Sequence, residues 1–342
     1  MSDTTHRRPD AEILQDTRAF ARARDPIASW QLLSTLACHA ALLLLIGALP
    51  LPWVFAPSLA LVGTIIRLFV LQHDAGHQSL FTRRRVNDLA GTCLSFLTGV
   101  SYEAWKTEHA WHHNHQGKLS HRGVDRMNSP MTAAEAREGP DAARLRARKI
   151  SAHSVFFLGA VSLLILRKVS GGYFQFRPNF RWPFYGRVRM RRGVLLTNIG
   201  HLALHLAGFA ALGGRWLLVL LALWIAGGLG ASLFWVQHNF ERTWHADDRD
   251  WSFTRVALDG SSYVRLGPLL RWVTGSIGLH HVHHLNPGIP NYRLEEARRA
   301  VPELAAVPPL TRADLRRCYT HVFWDGAAGR QVPAERVGVG PG

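Results

Sequence analysis

Four apolar stretches, each close to twenty residues long, constrain the fold of this chain more than any other feature of its sequence. A helix needs about 20 apolar residues to cross the hydrocarbon layer of a membrane. Only a short, nearly uncharged turn separates the members of each pair. The sequence therefore predicts two helical hairpins that span a membrane, formed by Trp30–Leu49 with Trp53–Gln72 and by Val194–Leu212 with Trp216–Val236.

The basic residues lie between the apolar stretches. With 40 Lys and Arg against 24 Asp and Glu, the 342-residue chain has a formal net charge of +16. Such an excess is also typical of proteins that neutralise nucleic-acid phosphates. Here the arginines flank stretches of membrane length, as at Arg83–Arg85. The positive-inside rule therefore predicts a membrane protein with both termini in the cytoplasm, and it disfavours a nucleic-acid partner.

Three parts of the chain are predicted from this layout. Residues 1–28 form a cytoplasmic tail with a short helix around Ala11–Arg24, and this tail lacks the layout of a cleaved signal peptide. Residues 29–300 form the membrane and catalytic domain. Residues 301–342 form a cytoplasmic tail that is loose near Val332–Gly342, where Pro and Gly are frequent.

The predicted fold class is an all-α integral membrane protein. About four transmembrane helices form the two hairpins, and a cytoplasmic helical cap would hold two metal ions. Residues 87–104 and Val155–Leu166 are too short or too polar to span, so we expect interfacial helices there. A basic cluster, Arg177–Arg192, precedes the second hairpin.

Histidines cluster at three places that follow or lie between the apolar stretches. In a helix, the spacings i, i+3 and i+4 project side chains from one face, where imidazoles can converge on a metal. One HxxxH pair alone would be weak evidence, but three clusters with matched spacing indicate a metal site. The clusters are His73 with His77, then His109, His112 and His113, and finally His280, His283 and His284.

The ligand chemistry limits which metal such a site could hold. Neutral imidazole suits iron, zinc, copper or nickel. The cysteines Cys38, Cys93 and Cys318 form no CxxC pair, so no thiolate set accompanies the histidines. Eight histidines exceed the four ligands of one structural zinc, which favours two metal ions with open positions. We hypothesise that uncharged ligands raise the metal potential and suit a strongly oxidising reaction.

The histidine clusters and the residues around them resemble the membrane-bound fatty acid desaturases. That family carries one HxxxH-type box and two HxxHH boxes, separated by paired membrane spans. His73–Phe81 reads HDAGHQSLF and Gly278–Tyr292 reads GLHHVHHLNPGIPNY, and both segments are similar to acyl-lipid desaturases of the Δ12 or omega-6 type. The resemblance covers roughly residues 30–300, with the boxes in the family's order.

The resemblance implies a di-iron centre that uses dioxygen to introduce a cis double bond into a lipid-linked acyl chain. Dioxygen needs four electrons to become two waters, so two must come from a donor such as ferredoxin or a cytochrome b5-like protein. No haem-binding HPGG segment occurs in the sequence, which implies that the donor is a separate protein. The basic cytoplasmic face would attract an acidic donor. The expected location is the bacterial inner membrane.

The resemblance also assigns the site residues. Family members recruit a further histidine just after the last span, and His238 stands at the matching position. Some acyl-CoA desaturases have an asparagine four residues earlier, where this chain has Phe234, a departure that argues against the acyl-CoA branch. The expected catalytic residues are His73, His77, His109, His112, His113, His280, His283 and His284, and the expected metal ligands are these eight with His238.

The other histidines and nearby residues have less specific predictions. A hydrogen bond between helices is favoured for His39. For His201 and His205, contacts between helices or support of a ligand are favoured, because nothing like the boxes flanks them. Asp74 would either accept an N–H from a ligand imidazole or be a solvated carboxylate. Trp105, Trp111, Trp235 and Trp244 would line an acyl tunnel or pack at the interface. Orientation of a neighbouring ligand is predicted for His115, His121 and His281, and ordinary surface positions for His6, His153, His245 and His321.

Three alternatives remain open from the sequence. The same di-iron chemistry could hydroxylate, epoxidise or form an acetylene, because the outcome depends on how the methylenes are placed. A carotenoid hydroxylase or alkane monooxygenase would share histidine boxes but not the residues around His73 and His283. A membrane metal transporter would need ligands along a path through the membrane, where only His39, His201 and His205 lie.

Overall fold

The protein is described by a computed structural model, which describes residues 8–121, 130–161 and 192–339. The predicted basic cluster, apart from Arg192, and the last five residues of the run Val155–Leu166 lie outside the described residues. The helices are α1 (Asp10–Thr17), α2 (Asp25–Ala48), α3 (Phe55–Gly76), α4 (Arg84–Thr98), α5 (Tyr102–His115), α6 (Ala133–Glu138), α7 (Pro140–Lys149), α8 (Ala152–Val161), α9 (Arg192–Leu212), α10 (Trp216–His238), α11 (Phe253–Asp259), α12 (Pro268–Val273), α13 (His280–Leu285), α14 (Leu294–Ala300), α15 (Pro302–Ala306) and α16 (Arg312–Arg317). The strands are β1 (Met131–Thr132), β2 (His321–Asp325) and β3 (Arg330–Pro333).

Three segments among the described residues are long and apolar enough to cross a membrane. They are Asp25–Ala48, Phe55–Gly76 and Gly193–His238, and the last is 46 residues long because it contains both α9 and α10. A 3-10 turn at Gly213–Arg215 separates these two helices. The mostly helical, membrane-embedded class predicted from the sequence is therefore confirmed.

The chain reverses direction between α9 and α10. Arg215 donates hydrogen bonds to the carbonyls of Ile46 and Gly47 at the end of α2, at 3.0 and 2.6 Å. The indole of Trp216 donates to Nδ1 of His205 at 3.2 Å, which brings the start of α10 back against α9. The two helices thus form the second predicted hairpin, whose turn lies at the end of the bundle opposite the histidine boxes.

The hairpins pack on each other through an apolar core and a few polar contacts. Leu61, Val62 and Ile65 of α3 share one core cluster with Val219 and Leu223 of α10. Such packing fixes the ends of α3 and α10 side by side. The last turn of α3 contains His73, and α10 ends at His238. The packing of the bundle therefore brings two of the predicted ligand positions together.

The predicted interfacial helix at residues 87–104 is instead two helices joined by a short break. Helix α4 ends at Thr98 and is capped by Gly99, whose φ of 70° lies in the left-handed region that glycine tolerates without strain. Helix α5 then begins at Tyr102 and carries the second histidine cluster. The break therefore sets the direction in which α5 presents that cluster.

The prediction of a loose C-terminal tail near Val332–Gly342 is wrong for residues 332–339. Strand β2 pairs in parallel with β1 and antiparallel with β3, which contains Val332. Val332, Val337 and Val339 are 2%, 2% and 1% exposed and pack around Phe323 with α6 and α7. Burial of these apolar side chains offsets the entropy of ordering a segment whose Pro and Gly content suggested a loose end.

Candidate metal centre

The site is built where four helix segments meet. The last turn of α3 and the residue after it supply His73 and His77, and the end of α10 supplies His238. Helix α5 contributes His109, His112 and His113 from one face. The six-residue helix α13 contributes His280, His283 and His284. All nine predicted ligands are thereby brought together, from segments up to 211 positions apart between His73 and His284.

Eight of the nine histidines fall into two groups of four. Within each group, one nitrogen of every imidazole lies within 4.8 Å of the others. We call them the first group, with His73, His77, His109 and His283, and the second group, with His112, His238, His280 and His284.

The ninth histidine, His113, lies between the groups. Its Nε2 is 3.1 Å from Nε2 of His109 and 3.0 Å from Nε2 of His283 in the first group. Its ring stacks on that of His284 in the second group, with centroids 4.1 Å apart. His113 therefore points a nitrogen into the first group while its ring forms part of the wall of the second.

The nitrogen–nitrogen distances fit a shared cation. Nε2 of His280 lies 2.9 Å from Nε2 of His238 and 3.1 Å from Nε2 of His284. Nε2 of His112 lies 3.2 Å from Nε2 of His238. Ligands about 2.1 Å from one metal are separated by roughly 3.0 Å in octahedral and 3.4 Å in tetrahedral geometry. Together with the 3.4 Å between Nε2 of His112 and Nε2 of His284, the observed distances span this range.

One imidazole nitrogen of the first group makes no hydrogen bond among the described residues. Nε2 of His77 is buried and has no hydrogen-bond partner among the described residues. The His77 ring lies 4.7 Å from the rings of His73 and His113 and 4.8 Å from those of His109 and His283. A buried, unpaired imidazole nitrogen is unfavourable, and a metal ion among these rings would satisfy it.

Burial keeps the ligand set in the form that binds metals. Desolvation, reinforced by the neighbouring imidazoles, lowers the pKa far below the usual histidine value for six of the nine. These imidazoles are neutral at neutral pH, and each offers a nitrogen lone pair to a cation. The six are His77, His109, His113, His280, His283 and His284.

A buried carboxylate supports the first group. Oδ1 of Asp74 lies 3.2 Å from Nδ1 of His73, so it can accept the proton that Nδ1 carries when Nε2 binds a metal. The other oxygen, Oδ2, accepts hydrogen bonds from the backbone N–H of Asn291 at 2.9 Å and from its side-chain amide at 2.8 Å. Of the two predictions for Asp74, the structure supports contact with a ligand.

Neutral groups support the second group. Nδ1 of His238 lies 3.0 Å from the side-chain amide of Gln116 and 3.5 Å from the carbonyl of Gly260. The Gln116 amide also donates to that carbonyl at 2.6 Å, which fixes the amide itself. The Gly260 carbonyl can accept the Nδ1 proton of His238 when Nε2 binds a metal.

Aromatic side chains wall both groups against water. Trp105 stacks on His109 with centroids 4.3 Å apart and lies 5.2 Å from His73. Phe234 lies 5.1 Å from His112 and 4.9 Å from His238, so the position that an asparagine occupies in some acyl-CoA desaturases is apolar here. Of the tryptophans predicted to line an acyl tunnel, Trp105 is the one that contacts the ligand rings of the first group.

The remaining histidines lie apart from the two groups. His39 bonds Thr64 on the neighbouring helix at 2.9 Å, and His201 bonds the Phe96 carbonyl at 2.9 Å. Both agree with the predicted contacts between helices. His281 was predicted to orient a ligand, but its Nε2 faces the Leu304 carbonyl at 3.2 Å. In a helix, the residue after His280 is rotated by about 100°, which takes His281 off the face that carries His280, His283 and His284.

Two supporting residues were not singled out from the sequence. Asn291 lies in the segment quoted for the family resemblance, but nothing in its spacing connects it to Asp74, 217 positions away. Gln116 lies three residues after the second box, and glutamine at that place has no recognisable signal. Contacts of this kind depend on how distant segments pack, which a single sequence does not show.

Comparison with known proteins adds an independent result. The fatty acid desaturase family matches residues 48–313, a range that contains all nine histidines. A fatty acid desaturase of Bacillus subtilis is 30% identical over 333 residues, which cover 95% of this chain and 91% of that protein. An sn-1 acyl-lipid omega-3 desaturase (ferredoxin) of Nostoc sp. is 29% identical over 73% of this chain and 68% of its own length. An sn-1 oleoyl-lipid 12-desaturase of Synechocystis sp. is 26% identical over 75% and 68%.

Proposed function

The chain belongs to the fatty acid desaturase family and is an oxidoreductase that acts on lipid acyl substrates, and we propose that it introduces a cis double bond into a lipid-linked acyl chain. In this proposal the reaction takes place at a di-iron centre, and dioxygen is the oxidant. The bond position that we propose is of the Δ12 or omega-6 type. Its support is the similarity around His73 and His283 and the relatives named 12-desaturases.

The observation that carries the proposal is the division of the histidines into two buried groups. Each group offers four imidazole nitrogens to one cation, and His113 adds a fifth to the first group. A membrane metal transporter would place its ligands along a path through the bilayer. These ligands instead gather at the ends of α3 and α10, in one closed cluster.

Two iron ions bound there would supply the activation of dioxygen and the removal of two hydrogens from adjacent methylenes. The residues of the chain would do the rest. Asp74 would hold the Nδ1 proton of His73, and the Gly260 carbonyl, held in place by the Gln116 amide, would hold the Nδ1 proton of His238. Trp105 and Phe234 would exclude water from the reacting methylenes.

The electron balance requires a partner. Dioxygen accepts four electrons on reduction to two waters, and the acyl chain supplies two of them. We propose that a separate ferredoxin, or a cytochrome b5-like protein, supplies the other two. The relative from Nostoc sp. carries ferredoxin in its name, and the net charge of +16 favours an acidic donor.

The distribution of arginines supports an orientation. Arg83–Arg85 begin six residues after His77, whereas the turn of the first hairpin at the other end of α3, Leu49–Trp53, carries no charge. By the positive-inside rule, we propose that the metal centre and both termini face the cytoplasm, with the inner membrane of a bacterium as the location.

The test is expression in a host that lacks the product, together with a ferredoxin system, followed by gas chromatography of the lipids. A cis diene that depends on the protein would support Δ12-type desaturation. Hydroxy, epoxy or acetylenic products would point to the related di-iron reactions. The absence of substrate-dependent oxygen consumption by the iron-loaded protein would contradict an enzyme.

The matched variants are His112→Ala and His153→Ala. His112 belongs to the second group, and His153 is an exposed residue of α8. We expect the first variant to lose the product while remaining in the membrane, because the other ligands cannot close the gap without moving whole helices. The second variant should retain activity. Full activity of His112→Ala would remove this residue from the ligand set.

A further inference from the structure

A cavity lies beside the first group, and none of the nine histidines lines it. Its volume is about 320 Å³, and residues of α2, α3 and α12 and of the segment that follows α13 line it. The lining includes two arginines, Arg67 and Arg271, and no carboxylate. Asn291, which holds Asp74, also lines it, so the cavity adjoins the support of His73.

Arg67 is an unusual residue for an apolar membrane helix. It is 4% exposed. Its Nε donates to the Thr35 hydroxyl at 3.1 Å, its Nη1 donates to the Trp272 carbonyl, and the Trp272 ring lies 4.4 Å from the guanidinium carbon. In the part of the chain that the structure describes, no carboxylate lies within ion-pair distance of Arg67, and its Nη2 makes no hydrogen bond. The Asp74 carboxylate acts on Arg67 only over a longer distance. A buried guanidinium that lacks a direct ion pair is unfavourable, which points to an anionic ligand.

Arg271 supplies the second positive charge. It belongs to α12, is partly exposed and lines the same cavity. Two guanidinium groups that converge on one cavity form a site suited to phosphate, whose oxygens accept paired N–H donors from arginine. The hydroxyl of Ser276, also in the lining, can add a neutral donor.

Residues around the cavity have the character expected at a membrane interface. Gln31, which lines the cavity, and Thr35, which accepts a hydrogen bond from Arg67, are in the first three turns of α2. The adjacent Trp30 is 73% exposed, as expected of an interfacial tryptophan. Helix α12 turns Leu269 and Leu270 outward, 72% and 52% exposed, as in a helix that lies in a membrane surface.

We propose that this cavity binds the phosphodiester group of a glycerophospholipid through Arg67 and Arg271. Arg67 precedes His73 by six residues, about 9 Å along α3, so the cavity lies close to the metal centre. That the bound lipid is also the substrate rests on the proposed function. Binding itself does not.

The test compares two lipids with identical acyl chains. Purified full-length protein is freed of lipid and titrated, by native mass spectrometry, with phosphatidylglycerol or with a galactosyl diacylglycerol, which lacks phosphate. We expect the phospholipid to bind about tenfold more tightly. Arg271→Gln should weaken its binding about fivefold and leave the galactolipid unaffected. Equal binding of the two lipids by the unmodified protein would overturn the proposal.

Matched controls separate the site from general charge. Arg265→Gln removes the same charge from an exposed position in the segment preceding α12, outside the cavity lining, and should change phospholipid binding less than twofold. An equal loss in Arg265→Gln and Arg271→Gln would overturn the proposal.

Arg67→Gln should lose more phospholipid affinity than Arg271→Gln does, with melting temperature and metal content measured to confirm folding. Displacement of the lipid by an equimolar amount of inorganic phosphate would overturn the assignment to a lipid.

Failure of this inference and failure of the proposed function have different signatures. Arg271-dependent phospholipid binding by a protein that desaturates no lipid would leave the binding site standing and remove the proposed function. Desaturation of both lipids at equal rates, unchanged in Arg271→Gln, would leave the function standing and remove the headgroup site.

Discussion

The two groups of histidines use the same ligand type but are supported by different chemistry. In the first group, the buried carboxylate of Asp74 faces Nδ1 of His73. In the second group, the acceptor that faces Nδ1 of His238 is the neutral Gly260 carbonyl, to which the Gln116 amide nitrogen donates. A carboxylate raises the basicity of its imidazole more than a neutral acceptor does. We infer that the first group holds its metal more tightly and stabilises its higher oxidation state.

The largest expected effect is the loss of one ligand from either group. His283→Ala removes a nitrogen from the first group and His284→Ala one from the second. Each should lower activity by more than about 100-fold, the upper range for residues that only support ligands. Metal analysis should show bound iron falling from about two per chain to about one. Two iron ions retained in both variants would contradict the division into groups.

Replacement of the supporting residues should separate the groups. Asp74→Asn removes the carboxylate and should weaken metal binding in the first group by about 10- to 100-fold. Gln116→Met removes a neutral amide and should weaken the second group by less than about tenfold. Chelator competition on the purified protein measures both. A larger effect of Gln116→Met would reverse the proposed order of affinity.

A smaller effect is expected from the residue that holds Asp74. Asn291→Ala removes the side-chain donor to Oδ2 and keeps the backbone N–H donor of residue 291. The carboxylate should be less firmly oriented, and metal affinity of the first group should fall by up to about tenfold. The double variant with Asp74→Asn should show little added loss, because Asn291 acts through Asp74. Additive losses would indicate a separate role.

The smallest effect on the metal centre is expected from the HxxxH pair within α9. His201 bonds the Phe96 carbonyl, and its Nε2 lies 2.8 Å from Nε2 of His205. His201→Ala should lower the free energy of unfolding by about 1–3 kcal/mol, because a buried carbonyl loses its donor. Iron content should not change. Loss of iron in this variant would extend the site into the membrane helices.

Most of the candidate metal ligands could be predicted from the sequence, whereas fewer of the packing contacts around them could. Spacing along α5 and α13 identified the ligands, because a helix converts i, i+3 and i+4 into a shared face. His201 and His205 have the same spacing but lie apart from the groups, so spacing alone does not identify a ligand. His238 was predicted from the family resemblance, because no second histidine lies three or four residues away to indicate a shared helix face.

The predictions that failed depended on packing between distant segments. The tail near Val332 contains Pro and Gly and yet forms part of a small sheet, because Phe323 and the segment around Ala136 bury its valines. Strand β1, only two residues long, pairs with β2 from nearly 200 positions away. Asn291 likewise reaches Asp74 only through the arrangement of α3 and α13. Local patterns do not contain such contacts.

The central claim is that nine imidazoles form two neighbouring metal sites, one in each group. Anomalous diffraction at the iron absorption edge, on crystals of the iron-loaded protein, tests it most directly. The account predicts two peaks, one among His73, His77, His109 and His283 and one among His112, His238, His280 and His284. A single peak, or a peak outside both groups, would contradict it.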